Sequence, residues 1–199
     1  TINTLKVLMF LSETGLDYEF KPINIRAGEQ HSAEFCAINP AGKVPVIWDG
    51  DSFQTESNSI LLSLANKTGW GLVGDHSLDA QLIAWLFYQA STQGPYFGQI
   101  EYWSRFAKEL NSDALAQYRA IANRTIIHLN DHLSGKQYIC GGTYSIADIA
   151  LFPWLRVHDH LGLSIENAEN LSHWLERIMA KSATQKALSF FNGISSSRC

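Results

Sequence analysis

"NPAGKVPVI", residues 39–47, sets a proline between two valines where a buried strand is expected. Proline has no N–H to give to a sheet ladder, so it is confined to edge strands, strand starts and bulges. Two physical reasons would put one here. An edge-strand proline blocks unwanted pairing with another sheet. Alternatively, Val44-Pro45 is a cis peptide, which costs only about 0.5–1 kcal/mol before proline. The Val44 backbone would then turn its N–H and C=O outward, ready to pair with an extended peptide in the manner of strand addition. This stretch alone leaves both readings open.

On either side of it the chain mixes short apolar segments with turn signals. "LKVLMFLSETG" has helical spacing and ends at Gly15, a suitable residue just past a helix end. "YEFKPINI" alternates as a strand would. "KVPVIWDGDSFQTE" reads as a hairpin turning at Asp49-Gly50-Asp51, followed by a helix "SNSILLSLANKTG" that stops at Gly69. A parallel βαβ unit starts with a strand, whereas here the first helix lies almost at the start of the sequence, so the reading expects a short strand upstream.

Beyond the linker "GWGLVGDHS" everything has a long helical pattern. The segment from Leu78 to Leu110 is helical with a kink or break at Gly94-Pro95, and further helices are expected near 112–133, 145–157, 167–180 and 184–190. The expectation is an α/β domain over 1–70 and an all-helical domain over 77–199.

With 199 residues, 46% of them hydrophobic, the chain can bury a full core. Its formal charge is −4, with lysines and arginines scattered, which argues against a nucleic-acid partner. No apolar run reaches the roughly 20 residues of a membrane span, and residues 1–20 lack a signal-peptide pattern. Cys36, Cys140 and Cys199 have no CxxC or metal-ligand spacing, which suits a reducing compartment and reads as apolar filler or surface thiols. The histidines 31, 76, 128, 132, 158, 160 and 173 form no HExxH pattern, and no metal is expected.

The chemistry concentrates eleven residues past Val44-Pro45, in "TESNSILLSLA". Ser57 stands where a helix begins, and free N–H groups with a hydroxyl make an anion site. Glu56 beside it is placed to grip an ammonium. A carboxylate acceptor next to an ammonium acceptor fits an amino-acid head group. The plainer alternative is an N-capping serine and a solvated glutamate. In "YSIAD", Ser145 and Asp148 fit a capping box and are assigned to folding.

A peptide-pairing Val44-Pro45 and a head-group pocket at Glu56-Ser57 on a small α/β domain, followed by an all-helical domain, resemble the glutathione transferase family. Within it the chain looks most like the nu class and the yeast nitrogen-regulator branch. That likeness is carried by the Thr1-x-Asn3 start, the "GEQ" loop, the "NPxxKxPxI" run, "GPYFGQ" and "YSIADIALFPWL". It implies an N-terminal thioredoxin-like domain and a C-terminal helical bundle.

The resemblance also implies roles. Val44 would hold the cysteinyl backbone of glutathione, with Pro45 cis behind it. Glu56 and Ser57 would hold the γ-glutamyl amine and carboxylate, and Gln30 and Lys43 would lie near the glycyl end. Thr1 and Asn3 would stand at the start of helix 1 beside the sulfur, stabilising the thiolate. Here Thr1-Ile2-Asn3-Thr4 replaces the usual threonine-proline-asparagine-glycine. Tyr96, Phe97 and Trp103 would wall a second-substrate pocket between the domains.

The implied activity is that of a dimeric cytoplasmic glutathione transferase or glutathione-dependent disulfide-bond reductase, with glutathione as co-substrate and a small electrophile or disulfide as partner. The rival is a non-catalytic binding or regulatory protein of the same fold.

Overall fold

The first helix starts at the first residue able to cap it. Thr1 stands at the N-cap of α1 (Ile2–Thr14), its hydroxyl accepting from the Thr4 N–H at 3.3 Å. Gly15, at φ 68°, closes the helix in the left-handed conformation that suits glycine. In this computed structural model, which describes residues 1–74 and 79–196, the chain divides into two compact units. His76, Cys199 and the boundary expected at residue 77 lie outside the described residues.

The first unit takes in Thr1–Trp70 and the chain from Ser182 on. After α1 come a short α2 (Ala33–Ile38), the antiparallel pair β1 (Ile47–Trp48) and β2 (Phe53–Gln54), and α3 (Ser57–Thr68). The hairpin turns where expected, with Gly50 at φ 82°, and α3 ends at Gly69, at φ 72°. Helix α1 packs against α3 and against α9 (Ser182–Ser196). Leu5, Leu8, Met9 and Phe10 of α1 and Ile60, Leu61 and Leu64 of α3 are buried in this core.

Two expectations change here. "YEFKPINI" is not a strand, because a strand needs a ladder partner and none runs beside it among the described residues. Tyr18 and Phe20 instead set their rings edge-on to Phe190 of α9. The helical domain was expected to run to residue 199, but α9 groups with the first unit, held there by its packing on α1.

The second unit, Gly71–Lys181, is helical. Asp79 caps α4 (Ala80–Tyr88), and residues 89–93 widen into a π turn that leads straight into α5 (Gly94–Arg105). Pro95 lies in the first turn of α5, so the wider π turn accommodates a residue that would break a regular helix. A Cβ on Gly94 would come within 2.8 Å of the Gln89 side chain, which explains the glycine.

Helices α6 (Ser112–His132), α7 (Ile146–Leu155) and α8 (Glu169–Met179) follow. Every residue of α7 is buried. Its capping box forms as expected, with the Ser145 N–H donating to Asp148 at 2.9 Å. Asp148 also accepts from the Ile139 N–H and the Trp174 indole, each at 2.8 Å. Burial pushes its carboxyl above the ordinary range, against the pull of those bonds. One buried carboxylate thus ties α7, α8 and the loop before α7 together.

Candidate functional site

All the residues assigned to glutathione lie in the first unit. Thr1 takes the capping role that Asn3 was free to play, and Asn3 falls one residue inside α1. Its Oδ1 is buried and has no hydrogen-bond partner among the described residues. A polar atom left this way costs stability unless something else engages it.

The start of α3 departs from ordinary capping. Glu56 occupies the N-cap position at φ 62° and ψ 110°, with no side-chain cap bond to the helix. It is the one non-glycine residue at positive φ among the described residues. Such a conformation costs on the order of 1–3 kcal/mol and persists only where its surroundings impose it. Ser57, buried, does not cap either: its Oγ accepts from the Lys6 ammonium at 3.1 Å. Neither residue's side chain caps α3, whose first turn stands at the positive end of the helix dipole. The Glu56 carboxylate lies in solvent beside it.

Lys6 went unremarked in the sequence. It is almost fully buried, and its Nζ donates to Asn58 Oδ1 at 3.0 Å as well as to Ser57. Burial drags its pKa down to about 7, and Glu56 pulls it partly back up. The signal was a lysine inside the apolar run "LKVLMF", a charge on the face of α1 that enters the core.

The Val44–Pro45 bond is cis. Another residue passed over, Asn39, sets the backbone ahead of it. Buried, it donates from Nδ2 to the Lys43 carbonyl at 2.8 Å and accepts from the Ala41 N–H at 3.2 Å. Gly42, at φ 60°, approaches the loop carrying Gln30 so closely that a Cβ would lie 3.2 Å from the Gln30 carbonyl. Gln30 Oε1 is buried and without a partner among the described residues. The Lys43 side chain is exposed.

Tyr96, Phe97 and Trp103 lie on α5 of the second unit. Phe97 is completely buried, the helical period carrying position 97 inward with Ile100. Tyr96 is half-buried beside Tyr118, with ring centres 6.0 Å apart. Trp103 lines a cleft of about 690 Å³ at the end of α5. Burial pushes the Cys140 thiol up to about 11, which favours the protonated form. Among the described residues no cluster of His, Cys, Asp and Glu could hold a metal, and no helix is long and apolar enough to cross a membrane.

Residues 1–66 match the family described as "Glutathione S-transferase, N-terminal domain", and residues 101–182 match "Glutathione S-transferase, C-terminal domain". The disulfide-bond oxidoreductase YfcG of Escherichia coli (strain K12) is 33% identical, the alignment covering 94% of this chain and 91% of that one. A solved glutathione transferase from Burkholderia graminis, with two glutathione molecules bound per subunit, superposes with a TM-score of 0.87 at 32% identity. That match covers 94% of this chain and 84% of the other. The glutathione transferase URE2P6 of Phanerochaete chrysosporium, in complex with oxidized glutathione, has a TM-score of 0.90 at 27% identity, covering 96% and 92%. The chain belongs to the glutathione transferase family, with a thioredoxin-like N-terminal domain and a helical C-terminal domain.

Proposed function

We propose that this protein is a glutathione-dependent enzyme that reduces disulfides and conjugates electrophiles through a thiolate held at the start of α1. The observation that carries the proposal is the uncapped N-terminus of α3 beside Glu56. One corner offers a helix N-terminus and a hydroxyl for a carboxylate and a carboxylate for an ammonium, which together match the γ-glutamyl head group. The names of the relatives, a disulfide-bond oxidoreductase and transferases with bound glutathione, support this reading.

Glu56 takes the amine and Ser57 the carboxylate. The cysteinyl backbone pairs with Val44, ahead of the cis Pro45, and Gln30 and Lys43 engage the glycyl end. A thiol of pKa about 8.5 is mostly protonated at neutral pH. The Thr1 hydroxyl, the Asn3 amide and the first amides of α1 favour the anion, so no protein base is required. In reduction the thiolate sulfur bonds to one disulfide sulfur and the other leaves as a thiolate; a second glutathione then resolves the mixed disulfide to glutathione disulfide. Tyr96 and Trp103 form the apolar wall for the second substrate, and the working unit is a cytoplasmic homodimer of this chain.

The test compares full-length protein on hydroxyethyl disulfide and on an aryl halide, each with glutathione. Turnover of the disulfide is expected to dominate. Inactivity on both, with glutathione still bound in a calorimeter, would establish the regulatory rival instead.

A further inference from the structure

We propose that Lys6 is a positioning residue for the anion end of the glutathione site: its ammonium holds Ser57 Oγ and Asn58 Oδ1 as acceptors and so turns the Ser57 hydroxyl proton outward to the ligand carboxylate. The inference rests on the glutathione reading of the Glu56–Ser57 corner and adds a residue that no part of that reading uses.

The geometry carries it. Lys6 Nζ lies 3.1 Å from Ser57 Oγ and 3.0 Å from Asn58 Oδ1, joining the middle of α1 to the first turn of α3 across 51 positions of sequence. An ammonium has donors and no acceptor, so a serine that meets it must accept. The serine hydroxyl then has its single proton left for another partner. A neutral amine has a lone pair and can take that proton instead. The charge state of Lys6 therefore selects whether Ser57 faces the ligand as a donor, and a bound carboxylate selects the charged state.

Burial holds Lys6 near neutrality as a base, with a pKa of about 7, and Glu56 is the charged group that acts on it. Of the helices packed against α1, α3 carries Lys67, engaged by Asp49, and α9 carries Lys186. A carboxylate arriving at Ser57 adds negative charge beside the amine and raises its pKa. Ligand binding at pH 8 thus draws a proton from solvent onto Lys6.

The experiment is calorimetric titration with S-hexylglutathione, whose blocked thiol releases no proton, at pH 8 in phosphate and in Tris. The difference in heat between the buffers counts the protons exchanged. Wild-type protein is expected to take up a proton fraction that Lys6→Met does not, and Lys6→Met is expected to bind at least about tenfold more weakly. Ser57→Ala should lose a similar factor. The double variant should lose little more than either alone, because both changes break one interaction. Lys6→Gln replaces Lys6→Met in every arm should the latter not fold.

Equal affinity and equal proton uptake in wild type and variant overturn the role of Lys6 while leaving the glutathione site standing. Fully additive losses also overturn it. Absence of binding by the wild type overturns both together.

Discussion

The Trp174 indole N–H donates to the Asp148 carboxylate at 2.8 Å inside the helical unit, where both residues are completely buried. The same carboxylate takes the N–H groups of Ile139 and Ser145. Asp148→Ala strands three buried N–H donors and the Ser145 hydroxyl, each worth about 1–3 kcal/mol when left unpaired. A loss of roughly 4 kcal/mol or more is expected in urea unfolding followed by tryptophan fluorescence. Trp174→Phe removes one donor and keeps most of the packing, so it should cost less than half as much.

Asn3 separates folding from function. Its buried Oδ1 has no partner among the described residues, and Thr1 already caps α1. Asn3→Ala is therefore expected to leave the thermal midpoint unchanged or slightly higher. Disulfide turnover should fall by about 10- to 100-fold if the amide stabilises the thiolate. A matching loss of stability would show that Asn3 serves the fold instead.

Glu56 is expected to show opposite signs in two assays. Its φ of 62° is relieved by glycine, which regains part of the 1–3 kcal/mol of strain and gives back about 0.5–1 in chain entropy. Glu56→Gly should thus be more stable by about 1 kcal/mol in chemical unfolding. Its affinity for glutathione should drop by about 1–3 kcal/mol through loss of the ammonium partner.

Lys6 gives stability a pH dependence of known direction. Its folded pKa of about 7 lies below the ordinary 10.5, so between those values the unfolded chain holds more protons. Stability from this site therefore rises with pH across that window, by up to about 1.4 kcal/mol per unit, and below pH 7 the full cost of burying the charge is present. Lys6→Met removes that cost. The variant should exceed wild type in thermal midpoint by more at pH 6 than at pH 9, and a pH-independent difference would contradict the assignment.

What could be read from the sequence was local. Gly15 and Gly69 mark helix ends, Ser145 and Asp148 signal a capping box, and proline biases its own preceding bond, each within four residues. What escaped was decided at long range. Lys6 meets Ser57 and Asn58 only because α1 and α3 pack together; the apolar run around Lys6 hints at its burial but not at its partners. Likewise "YEFKPINI" has strand-like alternation, but no strand lies beside it among the described residues, and its aromatics turned to α9. Phe97 has the composition of a pocket wall and the helical phase of a core residue. Asn39 carries no signal of its own in the sequence, and its bond to the Lys43 carbonyl shows only once the chain between them is folded.

The packing of α9 on α1 has a consequence for how the protein is made. A ribosome delivers α1 early and α9 after the whole helical unit, yet the two share a core. A segment made early is then finished late, and the face of α1 that meets α9 waits uncovered while residues 71–181 are translated and fold. Nascent chains stalled before Ser182 should expose that face to chaperones, and release past α9 should bury it.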